Sequence, residues 1–204
     1  MKLKIGIIDY GIGNWASIRN SLSKLGFKAI VSSDHDQLKE SNLLLLPGVG
    51  AFKPAMASIK EKKLDSFIYK KLDQGIPIIG ICLGMQLLGR SSMENEHTEG
   101  LNIISEDVFP LDQESCHIGW NSTKCLKKNS LLKKFENYDF YFNHSYAFLT
   151  NLENTICETS FKTKKFSSIL LKDKVAGLQF HPEKSQFHGL DLLKNLIFNL
   201  CEYA

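Results

Sequence analysis

The sequence predicts an α/β fold, a three-layer domain whose central, mostly parallel sheet is covered by helices on both faces. Three observations predict it. Short, nearly continuous apolar runs such as Leu43–Leu46 and 77–81 are bounded by glycine or proline, as strands buried on both faces are. Between them lie amphipathic stretches with apolar residues at helical spacing. The 204 residues, 43% of them hydrophobic, are enough for one large domain with a substantial core.

Residues 2–9 (KLKIGIID) read as the first strand, followed by a turn holding Gly11 and Gly13. A helix starts at Asn14, with Ile18, Leu22 and Leu25 on one face, and Gly26 stands where a helix-terminating glycine would. A strand at Lys28–Ser32, a strand at Leu43–Leu46, a helix over 64–74 ending at Gly75 and a strand over 77–81 follow. The second half differs. Segments 101–111, 139–148 and Thr155–Phe161, and a hairpin over 167–180 turning at Lys172-Asp173-Lys174, are β-rich with no long helices between them, so the sheet becomes mixed. A last helix over 189–203 carries Leu190, Leu193, Ile197 and Leu200 on one face. With no repeat or linker, residues 1–204 are expected to form a single domain.

Composition excludes several classes of function. The formal charge is only +3, and Arg19 and Arg90 are the only arginines, so the planar forks that grip phosphates and base edges are scarce. No nucleic-acid partner is expected. The longest run free of charged and strongly polar residues, 76–85, falls short of the roughly 18 needed to cross a bilayer, so no membrane association is expected. The basic start is followed by an apolar stretch that Asp9 interrupts too early for a secretory signal. Five cysteines without a C-x-x-C pair suggest neither disulfides nor a zinc site, so a cytoplasmic location with no metal and no cofactor is expected.

Gly80-Ile81-Cys82-Leu83-Gly84 carries the strongest chemical signal. It joins an apolar strand to a helix expected near Met85 and has the G-x-nucleophile-x-G form of a nucleophile elbow. A Cβ at either glycine would crowd the strand against the helix, and a helix start favours the thiolate of Cys82. The thiolate needs a proton partner. His181 follows a predicted strand and precedes Pro182-Glu183; proline keeps its neighbours extended, so His181 and Glu183 can share a side, with the carboxylate orienting the imidazole. Pro47-Gly48-Val49-Gly50 closes the strand Leu43–Leu46 and can turn backbone N–H groups toward a bound carbonyl. All three elements fall at strand carboxyl ends, where open α/β sheets bind ligands. Cys116, Cys125, Cys157 and Cys201 read as packing residues, His35, His97 and His188 as surface side chains, and Glu94-Asn95-Glu96 as a solvated loop.

GICLGMQLL, LPGVGAF and QFHPEKSQ together resemble the class I glutamine amidotransferases, flavodoxin-like α/β domains with a Cys-His-Glu triad. Asp9-Tyr10-Gly11-Ile12-Gly13-Asn14, His117-Ile118-Gly119-Trp120-Asn121, His144-Ser145-Tyr146 and His181-Pro182-Glu183-Lys184-Ser185 resemble the branch formed by the glutaminase subunits of imidazole glycerol phosphate synthases. The resemblance implies that Cys82, His181 and Glu183 hydrolyse glutamine through a thioester. It assigns the oxyanion and substrate contacts to Gly48, Val49, Gly50, Leu83, Gln86, Ser145 and Tyr146. It also implies a heterodimer with a (β/α)₈-barrel synthase subunit that consumes the ammonia in histidine biosynthesis, with Gly11, Asn14, Trp120, Asn121 and Lys184 at the interface. Cys116 and Trp15 depart from the pattern, leaving open a paralogue feeding a surface-sugar or other amidation pathway. A cysteine hydrolase of the related α/β superfamily, in which histidine often follows the elbow cysteine directly, is disfavoured by Leu83 at that position.

Overall fold

In a computed structural model, residues 3–112, 114–126, 132, 134–150 and 153–202 are described; Lys2 and Tyr203, at the ends of two expected elements, lie outside them. Strands β1 (Lys4–Ile8), β2 (Lys28–Ser32), β3 (Leu43–Leu46) and β4 (Ile78–Ile81) alternate with helices α1 (Trp15–Lys24), α2 (His35–Leu38), α3 (Phe52–Glu61) and α4 (Leu64–Asp73). After α5 (Leu83–Leu87) come β5 (Gly89–Ser92), β6 (Thr98–Glu99), β7 (Ile104–Pro110), β8 (His117–Ser122) and β9 (Lys124–Cys125). Then follow β10 (Asp139–His144), β11 (Tyr146–Ala147), β12 (Thr155–Phe161), β13 (Lys164–Lys172) and β14 (Val175–Leu178), and a 3₁₀ turn at Pro182–Lys184 leads into α6 (Gln186–Glu202).

The main sheet has eight strands in the order β2-β1-β3-β4-β14-β13-β12-β9. The run from β2 to β14 is parallel, and β13, β12 and β9 are added antiparallel. Strand alternation sorts the core into two layers. Ile5, Ile7, Leu43, Leu45, Ile79 and Ile81 face α1 and α6, while Ile8, Leu44, Leu46 and Ile78 face α3, α4 and α5. The order places β4 between β3 and β14, so the segments leaving these three strands emerge side by side at one edge.

Most strand and helix bounds match the sequence reading to within a few residues; the differences have physical causes. Helix α3 has no counterpart among the elements the sequence predicts; Pro54 sits in its first turn, where its missing N–H costs nothing, and Phe52, Ala55, Met56 and Ile59 form the buried face. Segments 101–111 and 139–148 do not join the main sheet: β7 joins β5, β6 and β11, and β10 pairs only with β8. The last helix begins at Gln186, before Gly189, and buries Leu192, Leu193, Leu196, Ile197 and Leu200 while Leu190 is only half-buried. Among the described residues no helix is long and apolar enough to cross a membrane.

The β4–α5 turn tolerates no side chain at its glycines. A Cβ on Gly80 would meet the Gly84 carbonyl oxygen at 2.6 Å, and one on Gly84 would overlap the Leu46 carbonyl on the neighbouring strand. Gly84→Ala is therefore expected to destabilise the fold by about 3 kcal/mol or more. Gly75→Ala, with open space but a φ of +76°, should cost only about 1 kcal/mol. Urea denaturation of the two variants checks the contrast.

Candidate active site

Cys82 occupies the bend between β4 and α5 with φ +53° and ψ −111°, a conformation that L-residues avoid. Hydrogen bonds hold it there. Its N–H donates to the Leu178 carbonyl on β14 at 2.7 Å, and its carbonyl accepts from the N–H groups of Met85 and Gln86 at 3.0 and 3.2 Å. The strained backbone turns the side chain off the strand. Sγ lies 3.7 Å from the Asn143 carbonyl and 3.9 Å from Nε2 of Gln179, and the residue as a whole is buried.

His181 lies just beyond β14, next to β4, which brings a residue almost a hundred positions away to the elbow. Its Nδ1 is 2.8 Å from Glu183 Oε1, with both side chains almost completely buried. The pairing is made differently from the sequence expectation: Pro182 opens a 3₁₀ turn, so Glu183 swings back under the ring instead of continuing an extended chain. Proline suits the first helical position because its fixed φ is already helical. The His181 backbone is pinned as well, its N–H donating to the Tyr141 carbonyl at 2.9 Å and its carbonyl accepting from Ser185 Oγ at 2.6 Å. Burial works to lower the His181 pKa, but Cys82 and Glu183 outweigh it and hold the imidazole up at about 9. Among the described residues, His181 Nε2 and Glu183 Oε2 are buried without a hydrogen-bond partner. A buried unpaired ring nitrogen beside a thiol is a proton donor or acceptor awaiting a substrate atom.

Cys82 opens into a pocket of about 240 Å³ lined by Val49, Gly50, Leu83, Gln86, Glu94, Cys116, Asn143, His144, Ser145 and Tyr146. That is below the roughly 300 Å³ of drug-sized sites and suits a ligand the size of one amino acid. Gly48 does not line the pocket but lies beneath it, where a Cβ would come within 2.6 Å of Tyr10 Oη and 2.7 Å of Leu83 Cβ. Tyr10 in turn donates to the Pro47 carbonyl at 2.6 Å, and burial pushes its pKa up, so it stays a neutral anchor for this loop. Gln86 donates through Nε2 to the Tyr146 carbonyl at 2.7 Å and contacts Gln179 Oε1 at 3.3 Å, tying the helix to the opposite wall.

Two residues were read differently from sequence. Glu94 is no solvated loop residue: its carboxylate accepts from the Phe52 N–H at 2.6 Å and is, among the described residues, the only carboxylate lining the pocket. No local pattern signals it, because the contact is to a residue 42 positions away. Cys116 is not core packing; it is exposed at the pocket, its Sγ 2.8 Å from Ser145 Oγ. Cys157 is buried, and Cys125 and Cys201 are partly so. Among the residues assigned to an interface, Gly11, Asn14, Trp120 and Lys184 are exposed, Trp120 to 48%, which excludes a core-packing role for it. Asn121 is half-buried and bonded inward. Among the described residues no cluster of His, Cys, Asp or Glu is suited to hold a metal ion.

The family model described as glutamine amidotransferase class-I matches residues 6–200. The imidazole glycerol phosphate synthase subunit HisH of Oceanobacillus iheyensis is 42% identical over 193 residues, covering 93% of this chain and 96% of its own. The protein of the same name from Blochmanniella floridana is 43% identical over 199 residues, covering 96% of this chain and 99% of its own. A solved structure of PurLQS from Thermotoga maritima superposes with a TM-score of 0.77 at 18% identity, over 98% of this chain and 100% of that one, a likeness of fold.

The raised pKa of His181 makes stability depend on pH. A histidine that binds its proton more tightly folded than unfolded contributes stability fully below about 6.5, and the contribution is lost as pH rises through about 9. Replacing His181 by Asn should remove that part of the decline, read as a flatter urea-unfolding stability between about pH 6.5 and 9 than in the unsubstituted protein.

Proposed function

We infer that this chain, which belongs to the class I glutamine amidotransferases, is the glutaminase subunit of an imidazole glycerol phosphate synthase. The observation that carries the chemistry is the strained Cys82 facing the buried His181–Glu183 pair in a pocket of amino-acid size. In this reading the Cys82 thiolate attacks the side-chain amide carbon of glutamine. The oxyanion is met by backbone N–H groups of Leu83, at the start of α5 where helical N–H groups have no intrahelical partner, and of Val49 and Gly50 in the loop that Gly48 supports from beneath. His181, protonated and held by Glu183, gives its proton to the leaving nitrogen, and ammonia departs. The γ-glutamyl thioester remains. His181, now neutral, takes a proton from water, which attacks the thioester and releases glutamate and the thiolate. Glu94 answers the substrate's α-ammonium, and Gln86, Ser145 and Tyr146 frame the rest of the amino-acid end.

Ammonia left in water would be protonated and lost as a nucleophile, so the product is passed directly to a partner, a (β/α)₈-barrel subunit that forms imidazole glycerol phosphate and an aminoimidazole carboxamide ribotide. The partner surface is the one at the strand carboxyl ends, carrying Gly11, Asn14, Trp120 and Lys184, with Asn121 turned inward behind it. Its character supports this: Ile118 is 63% exposed beside the exposed Trp120, an apolar pair that a free surface rarely presents, and the Lys184 ammonium sits 5.5 Å over the Tyr141 ring. Five thiols without a disulfide, one of them reactive, fit a reducing cytoplasm.

The test is to purify the chain with candidate barrel subunits and assay both activities. The histidine-pathway barrel should raise glutamine hydrolysis, and Cys82→Ala should abolish glutamine-dependent synthesis while ammonia-dependent synthesis by the same complex persists. Activation by a different amidating barrel alone would reject the histidine assignment, and loss of both activities in an intact complex would reject ammonia donation.

A further inference from the structure

A chain of side-chain hydrogen bonds runs through the ribbon formed by β8 and β10. Asn121 Nδ2 lies 3.1 Å from His117 Nε2, His117 Nδ1 lies 3.2 Å from His144 Nε2, and His144 Nδ1 lies 3.0 Å from the Tyr146 carbonyl. Both histidines are buried.

The direction of every donor follows from the ends. Asn121 is fixed in orientation by two backbone groups, its Oδ1 accepting from the Ser122 N–H at 2.9 Å and its Nδ2 donating to the Ser160 carbonyl at 2.9 Å. Nδ2 is therefore a donor toward His117, whose Nε2 must accept. At the other end the Tyr146 carbonyl can only accept, so His144 Nδ1 carries a hydrogen. Between them His117 Nδ1 donates to His144 Nε2. All contacts are satisfied at once only when both rings are neutral and both carry their hydrogen on Nδ1. Burial, which pulls the His117 pKa down to about 4 and that of His144 to about 3, agrees with this protonation state. His117 is further clamped between the Phe142 and Phe161 rings, at centroid distances of 4.7 and 4.6 Å.

The chain ends on the glutamine pocket. The Tyr146 carbonyl accepts from both His144 and Gln86, and the segment it belongs to supplies Asn143, His144, Ser145 and Tyr146 to the pocket wall, with the Asn143 carbonyl against Cys82 Sγ. We propose that His117 and His144 are positioning residues of the glutaminase, a neutral imidazole pair that orients the wall 143–146 for substrate from the fixed amide of Asn121. The proposal rests on the glutaminase reading of the pocket. Neither ring exchanges a proton in the reaction, which separates them from His181. Their effect falls on how well glutamine is held, not on the bond-making steps.

Two arms test it. Long-range ¹H–¹⁵N spectra at about pH 7 should show His117 and His144 neutral with hydrogen on Nδ1; an Nε2–H tautomer or a protonated ring overturns the proposal, whether or not the chain hydrolyses glutamine. In the assembled complex, His117→Phe keeps the aromatic stacking but breaks the chain, and should raise KM for glutamine about five- to tenfold with kcat within about twofold. His144→Leu should do the same, while His144→Asn, whose amide N–H can replace Nδ1–H toward Tyr146 but which lacks the acceptor at Nε2, should raise KM clearly less than His144→Leu does. Ammonia-dependent synthesis, which bypasses this pocket, should be unchanged in all three. An unaltered KM in His117→Phe and His144→Leu, or equal losses in His144→Leu and His144→Asn, overturns the positioning role. A complex of the unsubstituted chain that hydrolyses no glutamine would sink the functional reading instead, and the spectra would still decide the tautomers.

Discussion

The architecture of the site depends on the near-contact of three backbones at the carboxyl edge of the sheet. β3, β4 and β14 are adjacent and parallel. Where β3 ends, the Pro47-Gly48 segment runs against the start of α5 so closely that Gly84 abuts the Leu46 carbonyl and Gly48 abuts Leu83 and Tyr10. Without a Cβ at these positions, the loop after β3 and the start of α5 pack backbone against backbone. With one, α5 would have to lift off the sheet and carry Cys82 away from β14. The positive φ of Cys82 has the same origin: the chain must reverse from strand to helix within one residue, and the cost of that conformation is offset by the bonds to Leu178, Met85 and Gln86.

Because the strain at Cys82 is fixed by the sheet, the proton partner need only be placed on the next strand. His181 follows three residues after Leu178, which pairs with Ile81; its ring is held by Glu183 and its backbone by bonds to Tyr141 and Ser185. Desolvation alone would leave this imidazole neutral. A buried carboxylate on Nδ1 and the sulfur near Nε2 reverse that, whereas the equally buried His117 and His144, with no carboxylate bonded to them, are driven neutral. One small region thus holds three buried histidines in two protonation states, set by what each ring nitrogen faces.

How much of this was legible in the sequence follows from the range of each interaction. The strand Leu43–Leu46 and the elbow were readable because their determinants, apolar continuity and paired glycines, are local. Helix α3 holds a proline, which fits a helix only in its first turn, and local sequence does not fix where that first turn falls. Glu94 and Cys116 were unreadable because their roles come from contacts 42 and 29 positions away. The pairing of His181 with Glu183 was foreseen in its partners and misread in its backbone, since an extended chain and a 3₁₀ turn both bring residues i and i+2 within reach of one another.

β8 illustrates a deeper obstacle. Its sequence, HIGWNS, alternates as a strand should, but inverted: polar His117 and Asn121 point into the protein while Ile118 and Trp120 face outward, 63% and 48% exposed. Period-two reasoning assigns the apolar set to the core, and so it cannot place this strand in an isolated chain. The inversion makes sense when both faces of the ribbon are considered together. Inward, every polar atom along the Asn121–His117–His144 path has a partner of fixed polarity, so burying it leaves nothing unsatisfied. Outward, the Trp120 ring stands edge-on to Tyr141 at 6.0 Å, next to the exposed Ile118. A strand that buries its polar residues and exposes its apolar ones works against its own folding unless each side has a use. Here one side ties the segment 143–146 to the fixed amide of Asn121, and the other leaves Ile118 and Trp120 uncovered.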